Sequence, residues 1–379
     1  MDKISDVLIV GGGVIGLTCA YHLASKGLTV TLVDRRSPGK EASWAGAGIV
    51  PPGNPQFAST GYEQLRALST SRFAEFCAQL QERTNLSSGF RKCGGLVLLH
   101  HDEIAETMSH WVAEGIECQE ISDPDIQSCE PGLRIPQHHV AVALPTLSQV
   151  RNPWHLKALE EGCRRQGVII LPENEIVGWH GKKQHLCAAI DERGTHLTAK
   201  NFVLCAGAWS NRLLPPGVPA MSLYPVKGQL VQFKAEPNTL KHVIELDRSY
   251  LVPRGDGLIL AGSTEEPEAE YDKLPTEHGT EVLKEFACAV VPALQHYPVV
   301  RTWAGLRPGT ADGLPYIGKS NAWDNLILAT GHFRAGIQLS IATAEVVEDL
   351  IIGTTPRLEV DMFRLDRPAA PRYLPAFRS

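Results

Sequence analysis

The stretch DVLIVGGGVIGLTCAYHLASKGLTVTLVD, residues 6–34, constrains the fold of this chain more than any other part of it. Four apolar residues, 7–10, read as a short buried strand, Gly11-x-Gly13-x-x-Gly16 makes the turn, a helix follows to about Lys26, and TVTLVD is a second strand. Each glycine has a steric task. Gly11 permits the tight turn, Gly13 lets a pyrophosphate approach the backbone, and Gly16 lets the helix pack closely on the strand. Val14 and Ile15 lie at the helix N-terminus, where free N–H groups face an anion. Asp34 ends the second strand, 18 residues past Gly16, and is placed to accept hydrogen bonds from a ribose. Glycine-rich turns alone are common, but strand, glycines, helix, strand and terminal acid in this order point to a dinucleotide. Arg35 and Arg36 leave two roles open, a grip on an NADP 2′-phosphate or plain solvated loop charge.

Two further stretches favour the longer dinucleotide, FAD. EASWAGAGIVPPG (41–53) is small, serine-bearing and glycine-rich, so its backbone at Ser43, Ala47, Gly48 and Ile49 can lie along a second portion of an extended cofactor. NFVLCAGAWSNRLL (201–214) reads as a buried strand ending in Ala206-Gly207-Ala208, where missing bulk lets something pass the strand end. Val177 is taken as another cofactor contact. The net charge of −6 comes without any basic run that could neutralise a phosphate backbone, which argues against nucleic acid as a partner. The longest apolar runs are too short to span a membrane, and a soluble, cytoplasmic protein is the expectation. Nine scattered cysteines without a C-x-x-C pair should mostly be buried thiols. The adjacent pairs His100-His101 and His138-His139 diverge in direction and lack acidic or thiol partners at ligand spacing, so no metal is expected.

The C-terminal part carries the chemical signals. After the strand NLILAT (325–330) and Gly331, apolar residues at Ile337, Ala342, Val346, Leu350 and Ile351 fit a helix starting near Phe333 or Arg334. Its N–H groups and dipole suit a group that becomes negative during turnover, as a reduced flavin does, although ordinary capping explains the same pattern. His332, Phe333, Arg334, Ala335, Gly336 and Ile337 are therefore candidate cofactor contacts beside Gly331. In WAGLRPGTADGLPYIG (303–318) a single arginine, Arg307, sits among glycines, prolines and apolar residues. Such a cation is costly unless its fork meets an anion. The carboxylate of a small substrate fills that need, and a salt bridge with Asp312 or a glutamate is the alternative.

GGGVIG, CAGAWS, YLVPR (250–254), WAGLRPGTADGLPYIG and GHFRAGIQLS (331–340), in this order, resemble the FAD-dependent D-amino-acid oxidase superfamily, and within it the glycine oxidase type associated with making the thiazole of thiamine. The resemblance extends to about Arg367. It implies an α/β fold in which a Rossmann-like FAD-binding domain of glutathione-reductase type (1–85, 149–215 and 315–367) is interleaved with an α+β substrate domain on an antiparallel sheet (86–148 and 216–314), followed by a tail, 368–379. It makes Arg307 the substrate-carboxylate clamp and Tyr250 its hydrogen-bonding companion. Arg334 is left to face the flavin, the substrate mouth or solvent, and Ile49 and Trp209 are candidate apolar walls. The implied reaction is oxidation of glycine, sarcosine or a small D-amino acid by hydride transfer to the flavin, with no side-chain base required. The imine then hydrolyses to a 2-oxo acid and ammonia or an amine, and dioxygen reoxidises the flavin to give hydrogen peroxide. A dehydrogenase passing electrons to another carrier is the alternative. His332 is expected to be a packed residue, not an acid. No cysteine follows Cys288 and no histidine lies between Asp34 and Gly53, so FAD should be held non-covalently. Glu265 and Glu266 stand where that pattern tends to have an apolar or small residue, which leaves three roles open, narrowing the pocket, binding an amine or facing water, with solvent exposure as the default. A homo-oligomer is expected from size alone.

Overall fold

The computed structural model describes residues 4–368; of the expected tail, 369–379 lie outside these. The glycine-turn unit forms β1 (Ser5–Val10), α1 (Val14–Ser25) and β2 (Val30–Val33). β1 and β2 are apolar almost throughout because both faces of the parallel sheet they enter are covered. β2 pairs in parallel with β3 (Ile169–Leu171), β1 with β4 (His196–Leu204), and β4 with β10 (Leu326–Thr330). The spatial order β3-β2-β1-β4-β10 reverses direction at β1. β1 and β4 stay paired to their last residues, Val10 and Leu204, and the connections that leave them run to opposite sides, which opens a crevice at the switch point. Four helices cover one side. α1 packs along α4 (Gly336–Ile352), α2 (Gly61–Thr84) lies on α4, and α3 (Asn152–Arg165) lies on both α1 and α2.

The second sheet contains β5 (Leu223–Lys234), β6 (Val243–Leu246), β7 (Ser249–Pro253), β8 (Leu258–Gly262) and β9 (Val299–Thr310), in the order β9-β5-β8-β7-β6. It continues through Gly95–His100, His139–Leu144 and Gln119–Ile121. One of its pairs, β6 with Gly95–His100, is parallel, which corrects the expectation of an antiparallel sheet. The reason is connectivity: the chain leaves this sheet after residue 144, builds β3 and β4 in the other one, and can rejoin only by a long crossover.

Side chains from the second sheet fasten the segment after β2. Arg254, just past β7, donates to the carbonyls of Ala47 (2.7 Å) and Val150 (2.9 Å) and to Gln149 Oε1 (2.7 Å). Trp303 Nε1 donates to the Ala45 carbonyl at 2.9 Å. The stretch 42–49 is thus held between the sheets, over the crevice. Four of the nine cysteines, Cys19, Cys77, Cys163 and Cys205, are buried, four are half-buried and Cys187 is exposed, so burial is less general than expected, and all nine are free thiols. Among the described residues no helix is long and apolar enough to cross a membrane.

Candidate active site

A cavity of about 260 Å³ runs from the carboxyl ends of β1, β2 and β4 to Gly228 and Leu230 of β5, Tyr250 of β7 and Gly305 to Arg307 of β9. It gathers nearly all the residues singled out above: Gly11, Gly13, Val14, Ile15, Asp34, Arg35, Ser43, Ala47, Gly48, Ile49, Ala206, Gly207, Trp209, Tyr250, Arg307, Gly331, His332, Phe333, Arg334, Gly336 and Ile337. Gly16, Val177 and Ala335 do not line it. Gly16 acts one layer down: a Cβ there would fall 1.9 Å from the Gly11 carbonyl oxygen, so it sets the approach of α1 to the turn. Val177 is exposed because side chains alternate along Ile176–Lys182, and it is the buried Ile176 that faces the cavity. Ala335 is the N-cap of α4, which begins at Gly336, two or three residues later than expected, because residues 332–335 form a turn closed by Ala335 N–H to the His332 carbonyl.

At one end the recognition elements are mainly backbone. Gly11 adopts φ +107, and a Cβ there would sit 2.5 Å from the Cys205 carbonyl oxygen. Gly207, also at positive φ, has nothing within 4 Å of the position its Cβ would take, so any side chain would intrude on the cavity it lines. The Ser43 hydroxyl accepts from Val14 N–H at 2.9 Å and ties the 42–49 stretch to the first turn of α1. Asp34 accepts from the backbone N–H groups of Gly12 (2.6 Å) and Arg36 (2.8 Å). Burial raises its pKa against the opposing pull of those bonds. Arg35 is neither a free phosphate grip nor a solvated charge, since it pairs with Glu41 at 3.1 Å and lies 4.1 Å over the Trp209 ring. Trp209 lines the cavity, but its ring neighbours are Arg35, Tyr271 and Lys273, which puts this expected substrate wall beside Arg35. Glu41, which sequence reasoning passed over, also binds Lys273 at 2.9 Å.

At the other end the elements are side chains from separate strands. Arg307 on β9 donates to Ser263 Oγ (2.6 Å) and the Thr264 carbonyl (3.1 Å), with the Tyr250 side chain of β7 as a further hydrogen-bonding partner. Burial lowers its pKa, Tyr250 opposes that, and Arg334 adds to it. Among the described residues no carboxylate stands within ion-pair distance of Arg307, and Asp312 is instead paired with Arg367 at 2.5 Å. Arg254 is equally dry, its pKa lowered to about 10 by burial, yet it spends its fork on protein oxygens. Gly228 makes the Arg307 position possible: a Cβ there would lie 2.1 Å from Nη2. Gly262 does the same for Tyr250, whose hydroxyl would be 2.8 Å from a Cβ. Gly228 lies inside β5 and Gly262 ends β8, a signal of close approach that the sequence offers and motif reading overlooked.

Glu265 and Glu266 are both only partly exposed, against the expected default. Glu265 pairs with Arg334 and, at 3.3 Å, with Arg248, whereas Glu266 accepts from Gln229 Nε2 at 2.6 Å and pairs with Lys227 at 3.3 Å. His332 is buried, shares a 3.0 Å hydrogen bond with Thr343 Oγ1, and has its pKa pushed down to about 3 by burial. A neutral imidazole packed at the entrance of α4 is the result. Outside the cavity, Glu63, His110 and Glu114 bring three ligand-type atoms within 4.8 Å of one another. Arg66 pairs with Glu114 Oε2 and Glu63 accepts from Ser59 and Thr60, while Glu114 Oε1 faces His110 Nε2 at 2.8 Å.

A glycine-walled crevice, the N-terminus of α1, a carboxylate at the end of β2, and an apolar run on to the N-terminus of α4 together fit an extended dinucleotide that carries a flat redox ring. A protein-family model described as FAD dependent oxidoreductase matches residues 6–350. A glycine oxidase of Pseudomonas putida is 36% identical over 360 residues, covering 93% of this chain and 96% of that protein. A bifunctional protein ThiO/ThiG of Synechocystis is 32% identical, covering 93% of this chain and 52% of that one. The crystal structure of glycine oxidase from Geobacillus kaustophilus superposes with a TM-score of 0.90 at 28% identity, over 97% of this chain and 99% of that one.

Proposed function

The chain belongs to the FAD dependent oxidoreductase family, and from that premise we propose that it oxidises glycine and other small amino acids, sarcosine and small D-amino acids among them, with dioxygen as the final acceptor. The observation that carries this reading is Arg307, a desolvated guanidinium that lines the cavity, is braced by Ser263, Thr264 and Tyr250, and has no carboxylate partner among the described residues. A substrate carboxylate would complete it as a charge-assisted, bidentate pair. FAD, held without a covalent bond, supplies the two-electron acceptor.

The chain's own residues bind and orient. Arg307 and Tyr250 fix the acid end of the substrate, which leaves its amine and α-carbon pointing along the cavity. Orientation of this kind is a large share of catalysis when the reacting bond needs no protein nucleophile. Three titratable groups on the wall are otherwise engaged. Asp34 accepts two backbone N–H groups, Glu41 is held by Arg35 and Lys273, and His332 stays neutral. The amine must therefore arrive unprotonated, its proton going to solvent. The oxidation of glycine would supply thiamine thiazole synthesis, a reading supported by the likeness to the bifunctional ThiO/ThiG protein.

A peroxide assay under air against glycine, sarcosine, D-alanine, a bulky D-amino acid and a D-2-hydroxy acid tests the proposal. Peroxide from the small amines alone is the expected result. No peroxide from any amine, with the flavin still bleached by them anaerobically, would instead make the protein a dehydrogenase.

A further inference from the structure

The substrate end holds two neighbouring guanidiniums, and they are treated differently. Among the described residues Arg307 has no carboxylate partner, whereas Arg334, which lines the same cavity and whose charge Arg307 feels, is paired with Glu265. The Glu265 backbone is fixed, because the next residue, Glu266, forms a two-way backbone bridge with Lys227 on β5, at 2.9 and 3.2 Å. Thr264, the residue before, holds Arg307 through its carbonyl. One short segment thus braces both arginines: it offers neutral oxygens to Arg307 and a full negative charge to Arg334.

We propose that Glu265 sets the charge selectivity of this site: by occupying Arg334 it leaves one uncommitted guanidinium, so the site takes ligands with one carboxylate and turns away those with two. This deepens the proposed function, since it rests on Arg307 acting as the carboxylate clamp. The charge count is simple. With a monocarboxylate bound, Arg307 meets the ligand, Arg334 meets Glu265, and the site is neutral. A second ligand carboxylate would enter beside Glu265 with no free cation to meet it, in a desolvated setting where like charges repel strongly. Neutralising Glu265 removes the negative charge beside Arg334 and turns the same place into a second carboxylate subsite. Arg248, the outer partner of Glu265, is 65% exposed and contributes little to the balance inside.

The test uses the FAD-loaded protein and two anions that carry no amine, acetate and malonate, with binding read from the change in flavin absorption. The native protein is expected to favour acetate. Glu265→Gln, which preserves shape, should shift the malonate-to-acetate affinity ratio toward malonate by about tenfold or more, and the combined Glu265→Gln/Arg334→Gln variant should abolish that shift. Arg248→Gln should leave the ratio as in the native protein. An unchanged ratio in Glu265→Gln overturns the inference, as does a shift that survives loss of Arg334 or one that Arg248→Gln reproduces. In amine oxidation, the same Glu265→Gln variant should gain D-aspartate relative to D-alanine. Failure of the proposed function looks different: acetate would bind in an Arg307-dependent way while no amine was oxidised.

Discussion

At one end of the cavity the wall proposed to meet the cofactor is mainly backbone, a glycine turn and two helix N-termini. At the substrate end it presents side chains, an arginine and a tyrosine from separate strands, with a glutamate placed behind a second arginine. The first kind of recognition is written in consecutive residues and depends on the absence of atoms. The second depends on which strands lie side by side, and a single charge can redirect it.

Four substitutions separate the two kinds. The largest effect is expected from Arg307→Ala. Removing the buried clamp costs about 4 kcal/mol, so kcat/KM for glycine should fall about 10³-fold while flavin content stays native. Loss of flavin in this variant would mean that the two ends are not independent. Gly16→Ala is the counterpart at the other end. Its methyl would overlap the Gly11 carbonyl, and the FAD Kd, measured by titrating stripped protein, should rise by about 100-fold. Gly228→Ala sharpens the contrast, because here a glycine serves a side chain. Displacement of the Arg307 guanidinium should lower kcat/KM between about 10- and 100-fold, again without flavin loss.

The smallest effect concerns pH. His332 is neutral in the fold down to about pH 3, whereas the unfolded chain protonates its histidine near 6.5. Its contribution to stability is therefore whole above 6.5 and is lost as pH falls toward 3. His332→Asn should flatten the decline of Tm between pH 7 and 4 by a few degrees, with His155, its pKa lowered to about 4, keeping part of the slope. An unchanged slope would remove His332 from that balance.

This contrast also governs what could be read in advance. The β1–α1–β2 unit, Asp34 and the Ala206-Gly207 strand end were legible because local sterics fix them. Arg307 was legible as an anomaly, a cation in an apolar, turn-rich run, and the resemblance pointed to Tyr250. The partners of those residues were hidden. Ser263, Thr264 and Gly228 reach Arg307 through the register of β5 against β9 and the approach of β8, which no single stretch encodes. The surroundings of Trp209 and Glu265 were hidden for the same reason. A ring next to Arg35 and a carboxylate next to Arg334 are outcomes of tertiary placement, and exposure is only the average fate of such residues. The helix start slipped to Gly336 because a turn, with Phe333 N–H bonded to the Pro308 carbonyl, takes up the residues that periodicity had given to the helix.

The order in which the chain visits its sheets has a consequence for change over generations. Strands between residues 95 and 144 and between 223 and 310 build one large sheet, while those before, between and after them build the other, apart from a small third sheet of Ile49–Val50, Arg91–Lys92 and Ser148–Gln149. A single crossover with a homologous gene between residues 144 and 223 would give at least one sheet two parents, so mismatched contacts arise in the middle of a layer. Diversification of such a scaffold is thereby steered away from module exchange and toward replacement of individual residues in place, as at position 265.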